Sequence, residues 1–140
     1  RHPNVVALKE AAGSLEQVQE TVRLTEFAFA ILSGEDALCV PTYAVGGRGV
    51  ISVVSNVAPA LTAALWRDYA AGRTQEAARG QVALLALIKA LFAEPNPQPA
   101  KMALHLLGLM APGCRMPLLA AGDNTRTALA DELAHLGLLG

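Results

Sequence analysis

The stretch NVVALK, from Asn4 to Lys9, sets the pattern on which the fold prediction rests. It is a short, continuous apolar run that ends in a lysine, and two further runs follow it, FAFAIL (Phe27 to Leu32) and GVISVV (Gly49 to Val54). Unbroken apolar runs of this length are typical of parallel strands that are buried on both faces. We therefore predict three such strands and expect Val5 to Leu8 to form a dry, apolar wall.

Segments of helical character follow each predicted strand. The first opens at Ser14, whose hydroxyl is expected to cap the helix while Gln17 reaches back in a capping box, and it continues to about Thr25. The second spans about Asp36 to Val45 and stops at a pair of glycines, and the third has Pro59 in its first turn. This alternation of strand and helix predicts right-handed βαβ crossovers and a parallel sheet.

Beyond residue 72 the strand pattern ends, and a helical extension is predicted. The predicted helices are a long, largely buried one over Thr74 to Phe92, a short one ending near Leu107, and a last one that begins near Asp123 or Asn124 and ends at Gly137. The proline-rich stretch EPNPQP (Glu94 to Pro99) separates the first two, because each proline removes a backbone donor and restrains the residue before it. We therefore divide the chain into residues 1–72, which carry the βα units, and residues 73–140, which form the extension.

Three βα units leave two architectures open, a small doubly wound domain and a piece of a (β/α)₈ barrel. Hydrophobic residues make up 53% of the chain and charged residues 16%, against roughly 45–50% and 25% in ordinary globular domains. An excess of apolar residues favours the barrel piece, because the missing strands would cover the surface that a cut exposes. Richness in alanine produces the same statistic, so both architectures stay open on these grounds.

Charge and cysteine content narrow the classes of partner and location. The formal net charge is -1, with 11 basic and 12 acidic residues, so we expect neither a nucleic acid nor an anionic membrane as partner. The uncharged segment from Gly49 to Trp66 indicates a strand, a loop and a helix start rather than a membrane span. Cys39 and Cys114 lack the spacing of a zinc site or a disulfide framework. We expect a reducing, cytoplasmic location and no metal.

Lys9 has two interpretations on the residues alone. A lysine at the end of a strand commonly reaches solvent, and this is the more frequent case. Alternatively, Lys9 lies at the carboxyl end of a barrel strand, where such enzymes keep their active sites, and an apolar pocket favours the neutral amine that attacks a carbonyl. Glu10 does not decide between them, because adjacent strand residues point to opposite faces.

Four segments in order closely resemble the carboxyl-terminal half of dihydrodipicolinate synthases. These segments are VVALKEAAGSLEQV, ILSGEDAL, GGRGVISVVSNVAP and FAEPNPQPAKMAL. The synthases belong to a family of pyruvate-dependent Schiff-base lyases that also contains N-acetylneuraminate lyase, and the resemblance covers essentially all 140 residues. It implies a (β/α)₈ barrel of which this chain would hold strands six to eight, followed by a three-helix carboxyl-terminal extension.

The resemblance also implies roles for individual residues. Lys9 matches the lysine that forms an imine with pyruvate, so it is the expected catalytic residue. Ile51 matches a residue that lines the pyruvate site, and Gly34 matches a glycine that borders the same pocket, so both are expected to bind substrate. Glu35 stands where an aspartate is common in these synthases, which weakens the assignment of the second substrate. No cofactor is implied, because the lysine imine itself carries the pyruvate.

The implied reaction joins pyruvate to aspartate semialdehyde and gives 4-hydroxy-tetrahydrodipicolinate, a step in lysine and diaminopimelate biosynthesis. In the resembling enzymes the proton-relaying tyrosine and the threonines that hold pyruvate lie in the amino-terminal half. We therefore expect these 140 residues to be inactive alone and to act within a homo-oligomer or with a complementing amino-terminal half. Two alternatives stay open, another pyruvate aldolase with a sugar-derived acceptor and a non-catalytic half-barrel that serves in assembly.

Overall fold

A computed structural model of the chain describes residues 2–139. The strands are β1 (Ala7–Glu10), β2 (Ala30–Ser33) and β3 (Gly49–Val50). The α-helices are α1 (Leu15–Leu24), α2 (Cys39–Ala44), α3 (Pro59–Ala70), α4 (Thr74–Ala83), α5 (Leu85–Leu91), α6 (Gln98–Leu106) and α7 (Asp123–His135). Short 3₁₀ turns occupy Asp36–Leu38 and Val54–Asn56. The predicted α/β class and the alternation of strand and helix are confirmed.

The strands form one parallel sheet in the order β1-β2-β3. The register pairs Lys9 with Leu32 and Leu32 with Gly49, so these three residues form one row across the sheet. Strand β1 pairs only with β2 in the described part of the chain, which leaves its other side as an edge.

All three strands are shorter than the sequence predicts, and β1 begins at Ala7 instead of Asn4. Strand β2 begins at Ala30, because Glu26 and Phe27 have φ angles of 50° and 58° and form a left-handed turn rather than extended chain. Strand β3 ends at Val50, although the N–H of Ile51 still donates to the Ser33 carbonyl over 2.7 Å. The chain then enters the 3₁₀ turn, where we had predicted continued strand.

The expectation that the strands are buried on both faces is wrong for this chain. In β2, Ile31 and Ser33 are buried while the alternate residues are half-buried, so one face of the strand is covered and the other is open. Val5 and Val6 are 61% and 67% exposed, and Leu8 is 40% exposed, so they form no dry wall. Val5 and Val6 precede β1, which begins at Ala7, and β1 has no further strand beside it among residues 2–139.

The first of two compact units contains the sheet and comprises the chain up to Ser52 together with Ala63–Val82. Its apolar core joins Val18 and Val22 of helix α1 to Ile31 of β2, with Phe29 and Val45 packed against them. Ser14 caps α1 as predicted, since its hydroxyl accepts the N–H of Gln17. The core therefore lies between helix α1 and one face of the sheet.

The second compact unit comprises Val53–Thr62 and the chain from Ala83 onward, and its described part is helical. Helices α5 and α6 both pack against α7. The core includes four leucines with no exposed surface, Leu87, Leu91, Leu129 and Leu133.

The predicted long helix over Thr74 to Phe92 is interrupted at Leu84, so it forms two helices, α4 and α5. Two of its residues that we expected to be buried are open to solvent, since Val82 is 70% and Leu85 38% exposed. These residues flank the interruption. The predicted boundary between residues 72 and 73 rests on the sequence pattern alone, and it stays a prediction.

The chain contains no helix between residues 2 and 139 that is both long and apolar enough to cross a bilayer.

Candidate active site

The three site residues predicted from the sequence lie at the carboxyl ends of the three strands. Lys9 is the penultimate residue of β1, Gly34 directly follows β2, and Ile51 directly follows β3. Parallel strands in register bring these ends to one edge of the sheet. In α/β proteins, ligands bind preferentially outside this edge.

Gly34 lies in direct contact with the Lys9 side chain. A Cβ atom placed on Gly34 would lie 2.9 Å from Cε of Lys9 and 2.5 Å from Cβ of Ala11. Real Cβ atoms essentially never come this close to another heavy atom. Because Gly34 has no side chain, it leaves room for the side chain of Lys9.

Ile51 lies on the same face of the sheet as Lys9. Gly49 is in the row of Lys9, and Ile51 is two residues further along an extended backbone that is still bonded to β2. Because side chains alternate between faces with a period of two, Ile51 returns to the face of Lys9. Its side chain is 47% exposed. Its N–H already donates to the Ser33 carbonyl, so the apolar side chain and the carbonyl are the groups that it can offer a ligand.

This face of the sheet is open in the described chain, and Lys9 is exposed on it. Two grooves form elsewhere in the first unit. One, of about 800 Å³, is lined by residues of α1 and α2 and by Phe27. The other, of about 710 Å³, lies beside Val5, Leu24 and Phe29. Neither of these two grooves is lined by the three predicted site residues.

The opposite face of the strand ends carries buried polar residues that sequence reasoning did not single out. Glu10 is 8% and Ser33 2% exposed. The Ser33 hydroxyl donates to the Glu35 carbonyl over 2.9 Å, and it accepts the Glu35 N–H over 3.2 Å. These bonds close the turn that contains Gly34.

A second set of polar contacts holds the loops that follow β2 and β3. The Ser52 hydroxyl donates to the carboxylate of Asp36, which is 3% exposed. The side-chain amide of Gln81, on helix α4, accepts the N–H of Val40 over 3.1 Å and donates to the Asp36 carbonyl over 3.0 Å. Asp36 lies two residues after Gly34, and Ser52 directly follows Ile51. The set therefore joins the two chain segments that carry the predicted substrate-binding residues.

Replacing Gln81 with leucine is expected to destabilise the chain by about 3 kcal/mol. The change removes two hydrogen bonds, each worth about 1 kcal/mol. It also leaves the part-buried N–H of Val40 without its partner, which costs about 1 kcal/mol more. The free energy of unfolding in urea measures the effect. Gln75→Leu is the matched control, because Gln75 is exposed on the same helix, and about 0.5 kcal/mol or less is expected there. Equal losses in the two variants would contradict the bracing role of Gln81.

Cys39, which lies near the strand ends in the sequence after β2, is a poor nucleophile in its ordinary state. Burial, followed by the nearby Asp36 carboxylate, raises the pKa of the Cys39 thiol to about 12, so the reactive thiolate is scarce at neutral pH. Among the residues that the structure describes, no three His, Cys, Asp or Glu side chains come together as metal ligands. Lys9 is the exposed lysine at this edge of the sheet.

Comparison with known proteins identifies the family. The sequence profile of the dihydrodipicolinate synthetase family matches residues 1–136. The 4-hydroxy-tetrahydrodipicolinate synthase of Sorangium cellulosum is 47% identical over 134 residues, which are 96% of this chain and 44% of the relative. That of Syntrophus aciditrophicus is 41% identical over 137 residues, or 98% of this chain and 47% of the relative. The chain thus spans about half the length of the curated relatives it matches.

Solved structures agree with this result. The dihydrodipicolinate synthase of Thermotoga maritima is 40% identical, with a TM-score of 0.94 over 97% of this chain and 47% of that one. A dihydrodipicolinate synthase of Acinetobacter baumannii complexed with pyruvate is 31% identical, with a TM-score of 0.92. The match covers 98% of this chain and 47% of that one. On the agreement of profile, curated relatives and solved structures, the chain belongs to the dihydrodipicolinate synthetase family.

Proposed function

We propose that this chain supplies the Schiff-base lysine, Lys9, of a 4-hydroxy-tetrahydrodipicolinate synthase in lysine and diaminopimelate biosynthesis. The observation that carries the proposal is the position of Lys9 at a strand end, with its Cε close to where a Cβ atom of Gly34 would lie. This geometry occurs in a chain that is 47% identical to a curated synthase. The reaction needs no cofactor under this proposal, because the pyruvate is held as a covalent imine of Lys9.

The proposed architecture is the last three βα units of a (β/α)₈ barrel, followed by the helical extension of residues 73–140. Among residues 2–139 the outer edge of β1 has no partner strand and one face of the sheet is open, and both features support the proposal. The remaining strands of a barrel would pair with that edge and enclose that face. The length of the match supports it as well, since about half of each curated relative remains unmatched.

The proposed chemistry begins when the neutral Lys9 amine attacks the keto carbon of pyruvate. Loss of water gives the imine, and loss of a methyl proton gives the enamine, whose carbon attacks the aldehyde of aspartate semialdehyde. Cyclisation through the amino group of the second substrate then releases Lys9 and the product. Gly34 provides the room for the lysine chain in this scheme, and Ile51 provides an apolar wall for the bound pyruvate.

The 140-residue chain alone is proposed to be inactive or nearly so. Imine formation and enamine formation both require proton transfers, which general acids and bases beside the lysine must carry out. We place the proton-relaying groups in the unmatched half, supplied by a homo-oligomer of a longer chain or by a complementing amino-terminal half. A cytoplasmic location is part of the proposal.

The test joins this chain to the unmatched part of the Sorangium cellulosum relative, to give what we call the joined protein. Pyruvate and aspartate semialdehyde are added, and 4-hydroxy-tetrahydrodipicolinate is measured by mass spectrometry. We expect product from the joined protein and none from the 140-residue chain. Circular dichroism establishes that the joined protein is folded. A folded joined protein that makes no product would contradict the proposal.

The same assay separates the alternative functions. N-acetylmannosamine is offered in place of aspartate semialdehyde, and its turnover would indicate a sugar-acid lyase instead of the synthase. A joined protein that uses neither acceptor and forms no pyruvate adduct would indicate the non-catalytic half-barrel.

A further inference from the structure

We infer that Glu10 positions Lys9 for imine formation through a hydrogen-bonded latch made of Glu10, Ala12 and Gln17, an inference that rests on the proposed function. One carboxylate oxygen of Glu10 accepts the N–H of Ala12 over 2.8 Å, and the other accepts the side-chain amide of Gln17 over 2.9 Å. Glu10 is 8% exposed. A buried carboxylate is costly unless hydrogen bonds satisfy it, and here both oxygens have a donor.

The latch differs from the capping box that the sequence predicts. In a capping box the side chain of Gln17 would return to the backbone of Ser14. Ser14 does accept the N–H of Gln17, but the Gln17 side chain extends further back and reaches Glu10 on β1. The first turn of α1 is thereby fastened to the end of the strand that carries Lys9.

Glu10 also fastens the neighbouring strand end. Its backbone carbonyl accepts the N–H of Gly34 over 2.7 Å. One residue therefore holds the turn after β1, the start of α1 and the turn after β2. Each of these bonds restrains the backbone next to Lys9.

The restraint reaches the amine of Lys9 through the backbone rather than through contact. Lys9 and Glu10 are adjacent on a strand, so their side chains point to opposite faces. Fixing Glu10 on the covered face fixes the direction of the Cα–Cβ bond of Lys9 on the open face, over Gly34. Glu10 is thus a positioning residue, because its carboxylate faces away from the substrate. A displacement of about 1 Å in such a group can lower a rate about 10²-fold.

A positioning role makes the charge of Glu10 dispensable. Glu10→Gln keeps the size of the side chain, and its amide can accept the Ala12 N–H and donate to the Gln17 side chain after that amide rotates. Glu10→Ala removes both bonds. The hydrogen-bonding role therefore predicts that glutamine rescues the site, while a role for the negative charge predicts that it does not.

The experiment measures the rate at which borohydride traps pyruvate on Lys9 in the joined protein, as a function of pyruvate concentration. The expected result is a fall of about 10–100-fold in the maximal trapping rate for Glu10→Ala, about tenfold for Gln17→Ala and about threefold or less for Glu10→Gln. Gln17 is exposed, so its alanine variant keeps the fold. Gln19→Ala, also exposed on α1, is the matched control and should trap at the original rate.

Hydrogen exchange on the unmodified 140-residue chain and its variants gives a readout that does not depend on pyruvate. The amide of Ala12 is expected to exchange faster in Glu10→Ala than in the original chain or in Glu10→Gln. Trapping at the original rate by Glu10→Ala and Gln17→Ala, in a joined protein that itself traps pyruvate, overturns the latch and leaves the proposed function standing. Equal losses in Glu10→Gln and Glu10→Ala also overturn it, as does unchanged exchange at Ala12. A joined protein that traps no pyruvate overturns both proposals.

Discussion

Replacing Lys9 with arginine is expected to abolish trapping of pyruvate in the joined protein, with a fall on the order of 10³-fold or more. Arginine keeps the positive charge and a similar length, but its guanidinium stays protonated and cannot attack a carbonyl. A circular dichroism spectrum like that of the unmodified joined protein verifies that the variant is folded. The measurement is the yield of reduced pyruvate adduct on intact protein.

Lys89→Arg is the matched control for this variant. Lys89 is exposed on helix α5 and belongs to the second compact unit, and its replacement should leave the adduct yield unchanged. An adduct yield from Lys9→Arg equal to that of the unmodified protein would show that another amine reacts.

Replacing Gly34 with alanine is the second large effect, an expected fall of about 10–100-fold in the rate of trapping. The added Cβ would meet Cε of Lys9 at 2.9 Å and Cβ of Ala11 at 2.5 Å. The lysine chain can move aside, but the Ala11 Cβ is fixed to the backbone, so the strand end itself must shift. The amine of Lys9 is then displaced from the position that it needs for attack. The rate of trapping at saturating pyruvate measures the loss.

Two further variants make the steric explanation testable. Gly113→Ala is the control, because a Cβ at Gly113 meets nothing within 4 Å. Ala11→Gly in the Gly34→Ala background removes the shortest contact and should restore part of the rate. A Gly34→Ala variant that traps pyruvate as fast as the original protein would refute the importance of this close approach.

The sequence was sufficient to predict the alternation of elements, because that depends on local signals. The three apolar runs each contain or adjoin a strand, and Ser14, Pro59 and the proline-rich stretch EPNPQP mark helix ends close to where the structure has them. The edge that carries Lys9, Gly34 and Ile51 also follows from strand order, since the carboxyl ends of parallel strands lie together. Their roles came only from the resemblance to a family, and they stay proposals.

The burial of the sheet could not be predicted, because it depends on what lies beside the strands. Val5, Val6 and Leu8 have the composition of a core, but β1 is an edge strand and they are exposed. The turn at Glu26 and Phe27 was missed for a similar reason, since neither residue is a usual choice for a left-handed conformation.

Two polar residues that hold the strand ends and loops by hydrogen bonds, Gln81 and Glu10, were not recognised from the sequence. Gln81 bonds to groups near residue 40, and no local pattern announces such a pair. The position of Gln81 in helix α4 did not indicate that its side chain is only 9% exposed. Glu10 was missed because its neighbour Lys9 offered the more obvious chemistry.

The most direct measurement of the central claim is the site of the pyruvate adduct. The joined protein is incubated with pyruvate, reduced with borohydride and digested, and its peptides are sequenced by mass spectrometry. The account predicts a reduced pyruvate adduct on Lys9 and on no other lysine. A folded joined protein whose Lys9 peptide is unmodified after this treatment would contradict it.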